Sequence, residues 1–136
     1  VGEREPGLDS ESFNRLLKLA HTTLVRRTLM VKIVYCITKL PNLSNDEFHR
    51  YWRETHGPIA GRIPGLRKYV QSHTIHKPLN GIEPSFDGVA ELWFDDWATL
   101  ERAMASAEVR AAVEDERKFI DHSRTAFFIA EEHHVV

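Results

Sequence analysis

The order of strand-like and helix-like patterns after residue 30 restricts the possible folds of this chain more than any other feature. Four short runs dense in β-branched and aromatic residues predict strands, at Val31–Thr38, Arg67–His76, Val89–Phe94 and Thr125–Glu132. One helical pattern separates the first two runs, and helical patterns over residues 97–105 and 108–119 separate the last two. The predicted order is β-α-β-β-α-β, the split βαβ motif of ferredoxin-like α+β folds, with a four-stranded antiparallel sheet.

The first helix of this series has clear start and stop signals. Ser44 followed by Glu47 matches the capping box, in which each side chain satisfies a backbone N–H that the helix leaves unpaired. Apolar and aromatic residues then recur at helical spacing from Phe48 to Thr55. The pair Gly57-Pro58 predicts the end of the helix, because glycine accepts a left-handed backbone and proline cannot continue a helix.

The second face of the predicted sheet suggests an assembly. If both helices pack on one face, the other face remains uncovered, although its strand residues are still largely apolar and aromatic. Exposure of such a face to water is unfavourable. Two sheets packed face to face would remove that exposure, so the pattern predicts a homodimer in the form of a dimeric α+β barrel.

Residues 1–29 differ from the rest of the chain. The first ten are polar and loop-like, whereas Ser10–Arg27 carries apolar residues at helical spacing and predicts an extra N-terminal helix. Two interpretations stay open: an extension that packs on the core or on a partner, or an upstream start with Met30 as the natural one. We therefore divide the chain into an extension, residues 1–29, and a domain, residues 30–136, and assign the extension no chemistry.

Composition and charge exclude several classes of function. A formal net charge of -2 with interleaved acids and bases argues against nucleic-acid and membrane-surface partners, which require a basic patch. No apolar run approaches the ~20 residues of a membrane span, and no signal peptide is recognisable. A single cysteine, Cys36, cannot form a disulfide framework. A cytoplasmic location is the resulting prediction.

His56 is the first candidate for chemistry. A histidine at a helix end can titrate near neutral pH, and the negative end of the helix favours its cation. On spacing alone, the simpler interpretation is that it only caps the last carbonyls of the helix. The neighbouring Tyr51 and Trp52 are expected to be core aromatics first.

The second and third strands supply further candidates. Tyr69, Gln71 and His73 alternate onto one face of the second strand, and this face is too polar for a dry core. It either faces solvent or lines a pocket for a ligand with polar groups. Glu91 aligns with Trp93 on the third strand, where a carboxylate must be exposed or paired. Together these residues predict a pocket with acid–base groups and aromatic walls.

Metal and cofactor signals are weak. The eight histidines show no HxH, HExxH or paired His/Cys spacing, and His133-His134 lies near the end of the chain. No glycine-rich loop follows a strand, so a phosphate cradle is not predicted. We expect neither a bound metal nor a cofactor.

Four separated blocks resemble a known family: YWRETHGP, PGLRKY, FDGVAELWF and DERKFIDHSRTAFFIAEE. In this order they are similar to the EthD domain family, over about residues 30–132 of the chain. The resemblance implies a dimeric α+β barrel. The family includes a protein encoded with an ether-degrading cytochrome system, methylmuconolactone methylisomerases, and dehydratase- or decarboxylase-like enzymes of polyketide pathways.

The resemblance also implies roles for residues. Methylmuconolactone methylisomerases carry a histidine in the block matching HGP and a tyrosine thirteen residues later, positions held here by His56 and Tyr69. The implied roles are general base or acid for His56 and hydrogen-bond donor for Tyr69. The expected substrate-binding residues are Trp52, His73, Glu91, Trp93 and Tyr35. Asp121 is expected to bond locally, and His122 receives no role.

Three hypotheses about function follow. The first is a cofactor-independent isomerase, lyase or dehydratase acting on a small oxygenated cyclic or aromatic metabolite in catabolism or polyketide-like biosynthesis. The second is a non-catalytic accessory or ligand-binding protein of an oxidative degradation pathway. The third is a cofactor-free oxidoreductase.

Overall fold

A computed structural model describes residue 7 and residues 9–136, and for residues 21–29 it describes the backbone only. The strands are β1 (Val31–Ile37), β2 (Leu66–His73), β3 (Gly88–Phe94) and β4 (Ala126–Ala130). The helices are α1 (Ser10–Leu29), α2 (Asn45–Tyr51), α3 (Gly57–Ala60), α4 (Trp97–Met104) and α5 (Ala107–Glu116). A π-helical turn covers Trp52–His56, and a 3₁₀ turn covers His122–Arg124.

The four strands form one antiparallel sheet in the order β2-β3-β1-β4. This confirms the predicted four-stranded ferredoxin-like α+β fold. The core lies between one face of the sheet and the helices, with Phe48, Phe94 and Phe119 fully buried in it. The helix α1 lies within the predicted extension, and the division at residue 30 stays a prediction.

The predicted start of the α2 helix is confirmed. The Ser44 hydroxyl accepts from the Glu47 backbone N–H at 3.1 Å, and the Glu47 carboxylate accepts from the Ser44 N–H at 3.0 Å. Both halves of the capping box are therefore formed.

The predicted end of this helix at Gly57-Pro58 is wrong. The helical backbone continues through the π turn into α3, because the Gly57 N–H bonds to the carbonyl of Trp52, five residues back. The wider turn places Pro58 in the first turn of α3, where the missing N–H of proline is tolerated. π turns of this kind frequently accompany functional sites.

Candidate functional site

A cavity of about 370 Å³ opens between the sheet and the helices. Its walls are mainly apolar, with side chains such as Ile33 from β1, Leu92 from β3 and Ala112 from α5. A small set of polar side chains interrupts these walls: Tyr35, His56, Tyr69, Glu116, His122 and Thr125. An apolar cavity with a few convergent polar groups has the usual composition of a small-molecule site.

His56 is held rigidly in the wall of this cavity. It ends the π turn, is only 7% exposed, and packs its ring 4.7 Å from the ring of Phe119, centroid to centroid. Its Nδ1 atom lies 2.9 Å from Oδ2 of Asp115, a residue of α5. Because Nδ1 bonds to the carboxylate, Nε2 is the nitrogen left for a ligand.

Asp115 is itself fixed from two sides. Its Oδ1 atom accepts a hydrogen bond of 2.6 Å from the Tyr51 hydroxyl and lies 3.7 Å from the Lys118 ammonium group. Desolvation alone would raise the Asp115 pKa, but the hydrogen bonds from Tyr51 and His56 outweigh it and lower the pKa. The carboxylate is therefore ionised and accepts the Nδ1 proton of His56.

Burial sets the charge of His56. Desolvation lowers the pKa of the imidazole below its ordinary value, and the hydrogen bond and charge of Asp115 oppose this only in part. The sequence predicted that a helix end would favour the cation. The helix does not end at His56, and burial favours the neutral imidazole. A neutral imidazole with Nδ1–H bonded to a carboxylate presents the Nε2 lone pair, the form that a general base requires.

Tyr69 lines the same cavity from β2. Its oxygen accepts a 2.9 Å hydrogen bond from the amide of Gln71, and this amide also donates to the Trp52 carbonyl at 2.9 Å. Burial raises the Tyr69 pKa, so the phenol stays protonated. Since Gln71 uses the oxygen and not the hydroxyl proton, Tyr69 can donate to a ligand oxygen in the cavity.

His73, a predicted binding residue, is not among the side chains that line the cavity, but it fixes the orientation of Gln71. Its Nε2 atom is 2.9 Å from the Gln71 amide oxygen, and its ring packs against Trp52 in a tilted arrangement at 4.3 Å, centroid to centroid. Burial, then the charges of His49 and Arg53, lower the His73 pKa to about 4, so the ring is neutral near pH 7. An Nε2–H that donates to the amide oxygen directs the amide NH₂ group toward Tyr69.

The remaining predicted binding residues divide between the two faces of the sheet. Trp52 and Tyr35 line the cavity. Glu91 and Trp93 lie on the opposite face, where Glu91 pairs with Lys32 at 2.5 Å and the Trp93 indole donates to Glu132. Because side chains alternate along a strand, the sequence predicts that Glu91 and Trp93 share one face of the sheet. The alternation does not show which of the two faces packs against the helices.

Sequence reasoning missed the two acids of α5. Asp115 and Glu116 are 6% and 8% exposed, although most charged residues of this stretch are solvated. The buried Ala112 and Phe119 lie three or four residues on either side of them. This helical spacing was the available signal that both acids face inward.

Two other predictions concern the turn before β4. Asp121 bonds locally as expected, accepting from the Ser123 N–H at 3.0 Å and from its hydroxyl at 2.6 Å. His122, which received no role, lines the cavity and places Nε2 3.7 Å from Oε2 of Glu116. Across the part of the chain that the structure describes, no three His, Cys, Asp or Glu side chains are arranged to hold a metal ion.

Fold and site together define a ferredoxin-like α+β protein in which a histidine lining an apolar cavity is paired with a buried carboxylate. The model of the EthD domain family matches residues 40–123. The chain belongs to the EthD family. No curated protein sequence matches it significantly.

Solved structures agree with this assignment. An EthD family protein from Bacillus halodurans is 28% identical, with a TM-score of 0.65, over 77% of this chain and 100% of that one. SnoaB, a cofactor-independent oxygenase from Streptomyces nogalater, is 13% identical, with a TM-score of 0.56, over 79% and 97% of the two chains. A dimeric ferredoxin-like protein of unknown function from Bacteroides fragilis is 14% identical, with a TM-score of 0.56, over 76% and 96%. The last two likenesses concern the fold alone.

Within residues 7 and 9–136, no helix is long and apolar enough to cross a membrane.

Proposed function

We propose that this protein is a cofactor-independent enzyme that moves protons on a small oxygenated cyclic or aromatic metabolite, as an isomerase, lyase or dehydratase. The observation that carries the proposal is the buried His56–Asp115 pair in the wall of an apolar cavity. A cavity-lining group whose pKa is shifted by desolvation and by a specific charged partner is a candidate for a functional site.

The proposed first step is removal of a proton from carbon. The Nε2 atom of neutral His56 takes a proton from a carbon next to a carbonyl group, and the electron pair moves onto the carbonyl oxygen. Asp115 holds the imidazole in the required tautomer and stabilises the cation that forms. Tyr69 donates a hydrogen bond to the oxygen on which negative charge develops.

The proposed assembly is a homodimer formed through the second face of the sheet. Related ferredoxin-like structures are described as dimeric. On this face Val34, Val89 and Phe128 are only partly covered within one chain. Association of two such faces would remove this apolar surface from water.

The proposed chemistry predicts that the protein catalyses hydrogen exchange. We expect it to accelerate the exchange of the acidic carbon-bound protons of 2-tetralone in heavy water, followed by proton NMR, because this probe fits an apolar cavity and carries one carbonyl oxygen. Tyr69→Phe is expected to slow the catalysed exchange by about 10- to 100-fold through loss of one hydrogen bond to the developing oxyanion.

The same experiment separates the alternatives. Ser72→Ala is the matched control for Tyr69→Phe, since this neighbouring β2 residue also loses only a hydroxyl but lies outside the cavity lining. Binding of the probe without accelerated exchange would support an accessory binding protein instead. Oxygen consumption during the reaction would support a cofactor-free oxidoreductase.

A further inference from the structure

One carboxyl group of the cavity has no part in the first proton transfer. Glu116 follows Asp115 on α5 but turns in a different direction and lines the cavity wall. It is 8% exposed, and it lacks a buried lysine or arginine partner among the ion pairs of the described residues. Burial of a carboxyl group in such surroundings is energetically unfavourable unless the group is protonated or closely paired with a cation.

The neighbours of Glu116 are groups that can donate or accept protons. Tyr35 of β1 and Thr125 line the cavity together with Glu116, and Tyr35 interacts with its carboxyl group. His122 lies 3.7 Å away at the more open side, with a half-exposed side chain. Burial raises the Glu116 pKa, and the interaction with Tyr35 and the charge of His122 offset this only in part. The protonated, neutral form is therefore more favoured for Glu116 than for an exposed glutamate.

We propose that Glu116 is the second proton-transfer group of this site and delivers its carboxylic-acid proton to the substrate after His56 has removed one from carbon. This inference rests on the proposed function and adds a requirement on the substrate. The molecule must carry an acidic C–H next to a carbonyl and, conjugated with it, a second position that accepts a proton.

The proton and electron count balances for a β,γ-unsaturated ketone. His56 takes the α proton, and the C–H electron pair forms a double bond to the carbonyl carbon while the carbonyl π pair moves onto its oxygen, which gives a dienolate. When the oxygen pair forms the carbonyl again, the carbon–carbon double bond moves to the α,β position and the β,γ pair becomes available at the γ carbon. The Glu116 O–H bond breaks and its proton joins that γ carbon. The product is the α,β-unsaturated ketone, and a proton then passes from the His56 cation to the Glu116 carboxylate through solvent, with His122 at the open side.

The probe 3-cyclohexen-1-one allows the two transfers to be measured separately. In heavy water, deuterium entering at the α carbon reports removal and return of the proton by His56. Ultraviolet absorption of 2-cyclohexen-1-one reports protonation at the γ carbon. Rates are measured at low probe concentration, as kcat/KM, so tight binding is not required.

Glu116→Gln is the variant that tests the proposal, because glutamine keeps the size of the side chain and cannot supply the acid proton. We expect deuterium exchange to remain within about threefold of the original protein while isomerisation falls about 100-fold or more, the usual contribution of general acid catalysis. Retained exchange also demonstrates that the variant is folded. Glu116→Asp keeps an acid in a shorter side chain and is expected to recover part of the isomerisation.

Glu114→Gln is the matched control, since the same chemical change is made on the same helix at an exposed residue paired with Arg117. It should alter neither rate. Isomerisation that survives Glu116→Gln at the original rate overturns the role of Glu116 and leaves the proposed function intact. Absence of catalysed exchange in the unmodified protein overturns the proposed function itself, and the Glu116 proposal with it.

Discussion

Replacement of His56 by Asn is expected to reduce the exchange of 2-tetralone protons to the rate in buffer, a loss of about 100- to 10,000-fold if catalysis matches ordinary general-base chemistry. The asparagine amide can still donate to Asp115, so the buried carboxylate keeps a partner, but it has no lone pair that takes a proton near neutral pH. A cooperative urea transition close to that of the original protein would show that the fold is retained. Unchanged exchange would remove His56 from the mechanism.

The coupling of His56 to Asp115 can be tested in the same assay. Asp115→Asn is expected to lower exchange by up to about 10,000-fold, because the amide can hold the imidazole in the wrong tautomer and cannot stabilise its cation. When His56 has already been replaced, Asp115→Asn should cause no further loss of exchange. A further loss in the double variant would contradict the view that Asp115 acts through His56.

Gly88→Ala is expected to destabilise the core, because the added methyl group has no room there. A Cβ atom at this β3 position would lie against Cζ3 of the Trp52 ring, 2.6 Å from its Cη2 atom, and 2.8 Å from the backbone oxygen of Ser72. The ring is only 1% exposed and the oxygen belongs to the neighbouring strand, so neither can move aside freely. We expect a loss of about 1–3 kcal/mol in the free energy of unfolding.

Urea denaturation followed by tryptophan fluorescence measures this effect. Gly7→Ala is the control, since nothing lies within 4 Å of a Cβ atom at that position. Because Trp52 also forms part of the cavity wall, the Gly88 variant should bind 2-tetralone more weakly as well. Equal stability of the two variants would contradict the tight packing of Trp52 on β3.

The fold could be predicted because its signals are local. Ser44 and Glu47 are three residues apart, and their capping box follows from that spacing. The strand runs likewise follow from β-branched and aromatic residues close together in the chain. The continuation of the helix beyond Gly57 was not predicted. It depends on a π turn, in which a backbone N–H bonds to the carbonyl five residues back instead of four, and no regular sequence pattern indicates such a turn.

The site could be predicted only in part. His56, Tyr69, Trp52 and Tyr35 were proposed from the sequence and lie in one cavity, whereas Glu91 and Trp93 lie across the sheet. These assignments stay predictions about binding and catalysis until they are tested. Periodicity groups residues by face, but which face receives the helices depends on the packing of the whole chain.

The sequence by itself determined the family, the order of strands and helices and the choice of His56 as the first candidate for chemistry. These follow from short motifs and from spacing along the chain. Only the tertiary structure decided the chemistry that His56 can perform. Asp115 is 59 residues away in the chain, yet it orients the imidazole at 2.9 Å, while burial lowers the pKa of the ring. Contacts over such distances and the loss of solvent arise only when the helices close over the sheet, so no local pattern records them.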